Sequence, residues 1–310
     1  MKSLRCPALF VAVILILLPL RAWAGDVEGA LAYVPSDSIA VVGADVDKVR
    51  ASPLFAPLYE EFLNESGARK KLAEIATHTG VNVRRDIHAI VAAFPPTFPQ
   101  DDDEFVIIVE AKVNEARLVA FAKKEGAKIQ RKDSPAGPYY ALDGGDGAMA
   151  FRSNYVIIGG RNTFQKALRA AQGRSAKTHG KLAARLALVG NQAAFGVADV
   201  PPKLRQESKG VLPGGGEVRA LVATIDVSQG VKINARATTN SPKTASQIAS
   251  MAQAFIDESG RDPSLKKQGL DGYLSLLKVQ AAGADLEAKL SLTNTKVRRL
   301  IGLIKKNAMR

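Results

Sequence analysis

The sequence predicts an α+β protein built from two tandem pseudo-repeats, each a mostly antiparallel sheet with helices packed on one face. Three observations carry this prediction. Short apolar runs rich in β-branched residues recur along the chain, as they do in strands. Several of these runs are separated by turn signals too short for a crossover, which favours antiparallel pairing. Amphipathic stretches with helical spacing follow, and several of them stop at a glycine.

The stretch from Phe105 to Gly126 shows all of these features. It opens with the apolar run FVIIV, which predicts a strand that is covered on both faces for part of its length. Asn114 then offers a side-chain oxygen to the free N–H groups of a helix start. Apolar residues at helical spacing follow, and Gly126 predicts the end of the helix.

The rest of the first half follows the same pattern. Strands are predicted over residues 38–46, 86–94, 139–142, 148–152 and 155–158, and helices over 47–63, 68–79 and 163–171. Pro53 and Pro57 are expected to break the early part of the first helix. The segment 143–147, DGGDG, predicts a tight hairpin between two strands.

The second half repeats the pattern. Strands are predicted over 192–200, 218–227, 231–238, 277–282 and 285–292, and helices over 181–189, 243–258 and 293–306. Pro242 suits the first turn of the long helix, and Gly260 is expected to end it. Gly283 predicts the turn of the last hairpin.

The two halves share a short motif. The residues GADV around Asp45 match VADV around Asp199, at an offset of 154 positions. Self-similarity at a fixed offset predicts an internal duplication. The predicted division is therefore a signal peptide at 1–24, a first repeat at 25–174 and a second repeat at 175–310, with the polar stretch 174–180 at the boundary.

A resemblance follows from the order of these segments. YVPSDSIAVVGADVDKVRASPLF, RRDIHAIVAAF, FVIIVEAK with its helix, and YYALDGGDGAMAFRSNYVIIGG with its helix resemble an uncharacterised family of exported bacterial proteins with tandem α+β repeats. The resemblance covers most of the chain after residue 24. It implies the repeats and export, and it supplies no activity and no catalytic residues.

The first 24 residues have the pattern of a secretory signal peptide. Lys2 and Arg5 precede the apolar run 8–20, and Ala22-Trp23-Ala24 presents small residues where a signal peptidase reads them. Cleavage is predicted after Ala24, which places the protein in the periplasm or outside the cell. Cys6 and Trp23 would leave with this segment, so the mature chain would contain neither cysteine nor tryptophan.

The charge is strongly basic. The full chain carries a formal net charge of +13, and removing Lys2, Arg5 and Arg21 leaves 40 basic against 30 acidic residues, or +10. Such a charge influences solubility and encounters with anionic partners, but not the fold. An anionic membrane surface is one such partner, whereas a solvated basic surface is the simpler interpretation and nucleic acid is not expected.

The sequence contains no local pattern for catalysis or for cofactor or metal binding. His78, His88 and His179 lack the spacing of metal ligands, and structural roles are expected for them. The acidic run Asp101 to Glu104 lacks the spacing of a calcium loop and is expected to be solvated. We therefore predict no catalytic, cofactor-binding or metal-binding residues, and no enzyme.

The last helix supplies the one candidate contact site. Its apolar stripe would run along one side, and its basic residues are candidates for contact with a membrane or another anion: Lys296, Arg298, Arg299, Lys305 and Lys306. Packing of the stripe into the core, with the basic residues solvated, is the competing interpretation.

The function predicted from the sequence is that of an exported, non-enzymatic binding or scaffold protein of the bacterial cell envelope, whose partner is an unknown envelope protein or lipid. One alternative is a peripheral protein of anionic membranes. Another is a periplasmic carrier of an apolar ligand or lipid, enclosed where small side chains leave room: Ala89, Ala92, Ala93, Ala193, Ala194, Ala220 and Ala223. We expect functional residues chiefly in loops 95–104 and 206–217.

Overall fold

The computed structural model describes residues 25–64, 66–98, 100–101, 103–208 and 216–308. The predicted signal peptide and most of loop 206–217 lie outside these residues. The described residues form two compact units, one up to Gly180 and one from Lys181 onward. The first unit continues past the predicted boundary at Arg174, because Ser175 pairs with Pro35 and the N–H of Ala176 donates to the carbonyl of Val34 at 2.8 Å.

The first unit opens with a short helix and one 3₁₀ turn, and then alternates strands and helices. The bounds are α1 Val27–Ala30, the 3₁₀ turn Leu31–Tyr33, β1 Ala40–Asp45, α2 Val46–Ala51, α3 Phe55–Asn64, α4 Ser66–Thr79, α5 Val83–Asp86, β2 Ile87–Phe94, β3 Val106–Ala111, α6 Glu115–Lys124, β4 Ile129–Lys132, β5 Tyr139–Leu142, β6 Gly147–Arg152, β7 Tyr155–Gly160 and α7 Arg161–Ala170.

The strands of this unit lie in the order β1-β2-β3-β7-β6-β5-β4, and neighbours are antiparallel. The pairing places Asp45 opposite Ala89, Ala89 opposite Glu110, and Glu110 opposite Tyr155. Directly paired residues share a face of the sheet. One row across β1, β2, β3 and β7 therefore carries two carboxylates and a phenol.

Helices contact both faces of this sheet, whereas the sequence prediction placed them on one face. Neighbouring strand residues point to opposite faces. Tyr139 packs on Phe164 of α7, with ring centroids 5.6 Å apart, while the hydroxyl of Tyr140 donates to Glu115 of α6 at 2.6 Å. The physical reason is the composition of β3, whose apolar residues alternate to both faces and need cover on each side.

The second unit is built from the remaining elements. Their bounds are α8 Ala183–Leu186, β8 Ala194–Asp199, α9 Pro202–Ser208, β9 Val218–Asp226, β10 Val231–Thr239, α10 Pro242–Ser259, α11 Pro263–Gln268, α12 Asp271–Leu274, β11 Leu277–Ala282, β12 Asp285–Leu292 and α13 Asn294–Ala308. Of the helix predicted over 181–189, only the short α8 is helical. The residues on both sides of it form turns.

The strands of the second unit lie in the order β8-β9-β10-β12-β11, again antiparallel. This order matches β1-β2-β3-β7-β6 of the first unit. In this match β8, β9 and β10 correspond to β1, β2 and β3, and β11 and β12 correspond to β6 and β7. In both units a helix follows the third strand and another follows the strand placed fourth in this order. The α+β class with antiparallel sheets is confirmed; the duplication itself stays a prediction.

Local chemistry explains several of the element ends. The side chain of Asn114 accepts from the N–H of Arg117 at 3.1 Å and caps α6, as predicted. Pro53 lies between α2 and α3, where a break was expected. Asp143, Gly144 and Gly145 all have positive φ in the predicted hairpin, which is the conformation that such turns require.

Candidate functional site

The basic residues predicted as a contact site lie on α13. Lys296, Arg298 and Arg299 are exposed, while the intervening Val297 is buried. The helix is held to its own unit by the hydroxyl of Tyr273, which donates to the carbonyl of Lys296 at 3.0 Å. The side chains of Lys305 and Lys306 lie outside the described residues.

A second group of polar residues lies in the first unit, at the ends of β1 and β3 and the beginnings of β2 and β7. Such residues rarely lie inside a protein without partners. We call this group the polar cluster, and it consists of Asp26, Asp45, Asp47, Lys48, Arg50, His88, Glu110 and Tyr155.

Arg50 lies at the centre of the buried part of the polar cluster. Its side chain is 0% exposed, and its guanidinium pairs with Oδ1 of Asp47 at 3.0 Å. The same guanidinium donates to the backbone carbonyls of Arg85 in α5 and of Ile87 at the start of β2. A planar guanidinium with five donors suits such a position, because it satisfies a carboxylate and two carbonyls at once.

Asp47 also binds the ring of His88. Nδ1 of His88 lies 2.9 Å from Oδ2 of Asp47. Burial raises the pKa of the Asp47 carboxyl, and the hydrogen bond from His88 and the charge of Arg50 oppose that rise. His88 is the extra residue at an irregularity between β2 and β3, since Ile87 pairs with Ala111 and Ala89 with Glu110.

Asp45 ends β1 and begins α2. Its Oδ1 accepts from the N–H of Lys48 at 3.0 Å and so caps the helix, and its Oδ2 pairs with Nζ of Lys48 at 2.8 Å. The same Oδ1 also accepts from the backbone N–H of Gly25 at 3.3 Å. Asp45 is 1% exposed, so three donors converge on a carboxylate that has almost no access to water.

Asp26 joins the start of the described chain to β3 and β7. Its N–H donates to Oε2 of Glu110 at 2.6 Å, and the hydroxyl of Tyr155 donates to its Oδ2 at 2.7 Å. Its other carboxylate oxygen accepts from the N–H of Gly29 and caps α1. Burial raises the pKa of the Glu110 carboxyl, and burial together with the bond to Asp26 raises the pKa of the Tyr155 phenol.

Gly25 lies against the backbone of β2. A Cβ atom at this position would lie 2.2 Å from the carbonyl oxygen of His88 and 3.1 Å from Oδ1 of Asp45. Real Cβ atoms do not approach a backbone oxygen so closely, because the two atoms would overlap. The close approach of residue 25 to β2 therefore requires glycine.

The chemistry available to the polar cluster is that of ion pairing. In the part of the chain that the structure describes, no group of three or more His, Cys, Asp or Glu residues is arranged to hold a metal ion. Asp47 orients His88 as an acid orients a catalytic histidine. The contacts of the cluster nevertheless bring no serine or threonine hydroxyl to the His88 ring among the described residues.

The acidic loop before β3 supplies a carboxylate to the start of a helix. The prediction of a solvated run over 101–104 is wrong for Glu104. Its carboxylate accepts from the N–H of Thr163 at 3.0 Å and from the side chain of Asn162 at 2.9 Å. It thereby occupies the positive N-terminal end of α7, because the first N–H groups of a helix have no partner within it.

Two cavities in the first unit are small. One of about 90 Å³ lies between the hairpin glycines 144–145 and Arg161, and an open one of about 210 Å³ is lined by α4 and α5. Sites for drug-sized ligands have volumes of roughly 300–1,000 Å³. Four of the alanines expected to leave room, Ala89, Ala93, Ala193 and Ala220, are buried.

Comparisons with known proteins leave the family open. No protein-family model and no curated protein matches the chain. Among solved structures, crystal form III of TP0453 aligns with a TM-score of 0.49 at 11% identity, over 87% of this chain and 96% of that one. Crystal form I of TP0453 aligns with a TM-score of 0.46 at 11% identity, over 88% and 97%. A likeness at this level does not establish a shared fold or function.

The polar cluster was not predicted from the sequence. The sequence patterns assign Asp45 to the end of a strand, and Asp47 and Arg50 to a helix. One signal was available, namely the four charged residues Asp45, Asp47, Lys48 and Arg50 within six positions at the end of an apolar strand. The partners in β2 and β3 become visible only when the strand register is known.

Proposed function

We propose that the protein is exported, is cleaved after Ala24, and acts in the cell envelope by binding or as a scaffold rather than by catalysis. The observation that carries this proposal is the internal pairing of the polar cluster. Catalytic groups are held with part of their hydrogen-bonding capacity directed at a substrate. Here Asp45, Asp47 and Arg50 direct theirs at neighbouring residues.

The position of Gly25 supports export. The signal-peptide pattern ends at Ala24, and the next residue lies in a tight site against β2 with its nitrogen next to a buried carboxylate. Residues 26–34 then contribute to the core, since Ala30, Leu31 and Val34 are buried. The described residues contain no helix that is both long and apolar enough to cross a membrane.

The test begins with expression of the full chain in a bacterial host, followed by release of the periplasm by osmotic shock. We expect the protein in the periplasmic or envelope fraction. A variant with large residues at the predicted cleavage site, Ala22→Leu/Ala24→Leu, should be retained as the longer precursor. Recovery of both chains from the cytoplasm would contradict export.

Binding is tested in the native envelope by chemical crosslinking of the exported chain. A scaffold or binding protein should yield one partner in constant proportion, and the purified partner should bind the purified chain again. An exported chain that stays monomeric and uncrosslinked at its native level contradicts this part of the proposal.

A second candidate function is peripheral binding to an anionic membrane, favoured by the exposure of Lys296, Arg298 and Arg299 on one helix. We expect the triple glutamate variant of these residues to lose binding to vesicles of phosphatidylglycerol and phosphatidylcholine, in sedimentation at low salt. The matched control changes Arg261, Lys266 and Lys267 in the same unit, which are also exposed. Equal loss of vesicle binding in both variants would show that the effect depends only on net charge.

A further inference from the structure

The nitrogen of Gly25 has two chemical forms. In the uncleaved chain it is a peptide N–H, which is neutral and donates one hydrogen bond. After cleavage behind Ala24 it becomes an α-amino group, which has an ordinary pKa of about 8 and is an ammonium ion with three donors at neutral pH. Signal-peptide removal therefore places a positive charge where the uncleaved chain has none.

We infer that this released ammonium ion binds the buried carboxylate of Asp45 and completes the polar cluster, an inference that rests on the proposed cleavage after Ala24. The distance already permits it. The nitrogen of Gly25 lies 3.3 Å from Oδ1 of Asp45 in the uncleaved chain. Charged N–H···O pairs are typically about 2.7–2.9 Å long, so the ion pair needs a movement of only about half an ångström.

The local charge balance favours the added cation. Asp26, Asp45, Asp47 and Glu110 bring four carboxylates to the cluster, against the two cations Lys48 and Arg50. The pKa values of Asp47 and Glu110 are both raised by burial, which means that their negative charges are costly in this place. An ammonium ion at Gly25 lowers that cost.

The shape of the site fixes which residue can carry the charge. Any side chain at position 25 would meet the carbonyl of His88, so the first mature residue must be glycine. Asp26 is held on both sides, through its N–H to Glu110 and its carboxylate to Tyr155, and so fixes the direction from which Gly25 enters.

The consequence is a link between export and stability in the first unit. The uncleaved chain lacks one ion pair in the polar cluster, and cleavage adds it. A new terminal charge can act in this way because the removal of a leader segment changes both charge and packing at the cut. In the second unit the corresponding acid, Asp199, pairs instead with Lys181 and Arg185 of its own unit.

The test uses two chains made by cutting a fusion directly before Gly25, one with a free amine and one with an acetylated amine. Nuclear magnetic resonance follows the titration of the Gly25 α-carbon, and urea unfolding is measured at pH 7 and pH 10. We expect the amine to titrate about one pH unit above its ordinary value, which corresponds to a tenfold firmer hold on the proton. We also expect a lower urea midpoint for the acetylated chain at pH 7.

The sign of the pH effect is fixed. A base whose pKa is raised in the folded state stabilises the fold fully below its unfolded pKa, and this contribution is lost as pH rises through the folded value. The difference between the two chains should therefore be present at pH 7 and small at pH 10. It should disappear with Asp45→Asn and persist with the matched control Asp199→Asn.

An amine that titrates at its ordinary value, or an acetylation effect that survives Asp45→Asn, overturns the inference. If Asp45→Asn does not fold, the titration of the amine in the unchanged chain decides alone. These chains are produced by a chosen protease, so the result does not depend on where the cell cuts. The proposed cleavage is tested separately by the first residue of the exported protein.

Discussion

The strands β1 and β8 occupy matching places in the two units and end at matching acids, but the two acids have different surroundings. Asp45 is 1% exposed and holds the start of α2, Lys48 and the N–H of Gly25. Asp199 is 21% exposed and pairs with Lys181 at 3.8 Å and Arg185 at 3.3 Å. The difference comes from what covers each acid, since residues 25–34 close over the first and a short helix borders the second.

The same sequence pattern, an acid at the end of a strand, serves two purposes in the two units. Asp45 caps the helix that follows its strand, whereas Asp199 forms partly exposed ion pairs. In the first unit the strand register also brings Glu110, His88 and Tyr155 to the end of the sheet where Asp45 lies. That unit therefore depends on paired charges, and the second depends on them less. Substitutions at matched positions in the two units test this difference.

The largest effect is expected at Arg50. Arg50→Met removes a cation that is 0% exposed and leaves Asp47 charged and buried, which should cost about 3–5 kcal/mol of unfolding free energy. The counterpart Arg185→Met removes a partner of Asp199 that is 25% exposed, and its cost should be at most about 1 kcal/mol. Urea unfolding, with hydrogen exchange to report each unit, measures both. Equal costs would contradict the contrast.

A smaller effect is expected at the acids. Asp45→Ala removes the cap of α2 and leaves the N–H of Lys48 without its acceptor, at an expected cost of about 1–3 kcal/mol. Asp199→Ala removes only the partly exposed ion pairs and should cost at most about 1 kcal/mol. The same unfolding assay distinguishes them. A larger loss for Asp199→Ala would show that the second acid is the structural one.

The smallest effect is a difference in pH dependence between the units. The pKa of Glu110 is raised by burial, so its charged form weakens the fold of the first unit as pH rises through that folded value. In the second unit, Lys289, Gln280 and Arg236 lower the pKa of Glu287 to about 2. Glu287 therefore stabilises its unit above the ordinary carboxyl pKa, and this contribution is lost as pH falls toward 2.

Hydrogen exchange on the uncleaved chain can separate these opposite slopes. Acidification from pH 7 toward the ordinary carboxyl pKa should increase protection in β3 and its neighbours, and Glu110→Gln should remove that increase. Further acidification should reduce protection in β10 and β12 first, and Glu287→Gln should remove that reduction. Parallel behaviour of the two units, with no effect of either variant, would contradict the assigned environments.

Sequence patterns predicted the elements wherever local chemistry decides them. The strand and helix between Phe105 and Gly126 appear as β3 and α6, with the predicted cap at Asn114 and a positive φ at Gly126. The last hairpin turns at Gly283, also as predicted. These features depend on neighbours in sequence, such as a side chain two or three residues from its backbone partner or a glycine at a turn.

The features that were missed depend on contacts between distant residues. The strand β4, IQRK, is mostly polar and has no apolar alternation, so only its pairing with β5 reveals it. The polar cluster joins Asp26 to Glu110 and Asp47 to His88, across separations that no local pattern spans. The role of Gly25 likewise depends on the carbonyl of His88.

We propose that export creates the amino terminus that binds Asp45 in the first unit. The most direct test of this proposal is the intact mass and terminal sequence of the chain recovered from the periplasm or envelope of cells that express the full sequence. We expect a chain that begins at Gly25 and carries an unmodified amino group. A recovered chain that still begins at Met1, or one that begins at Asp26 or later, would contradict it.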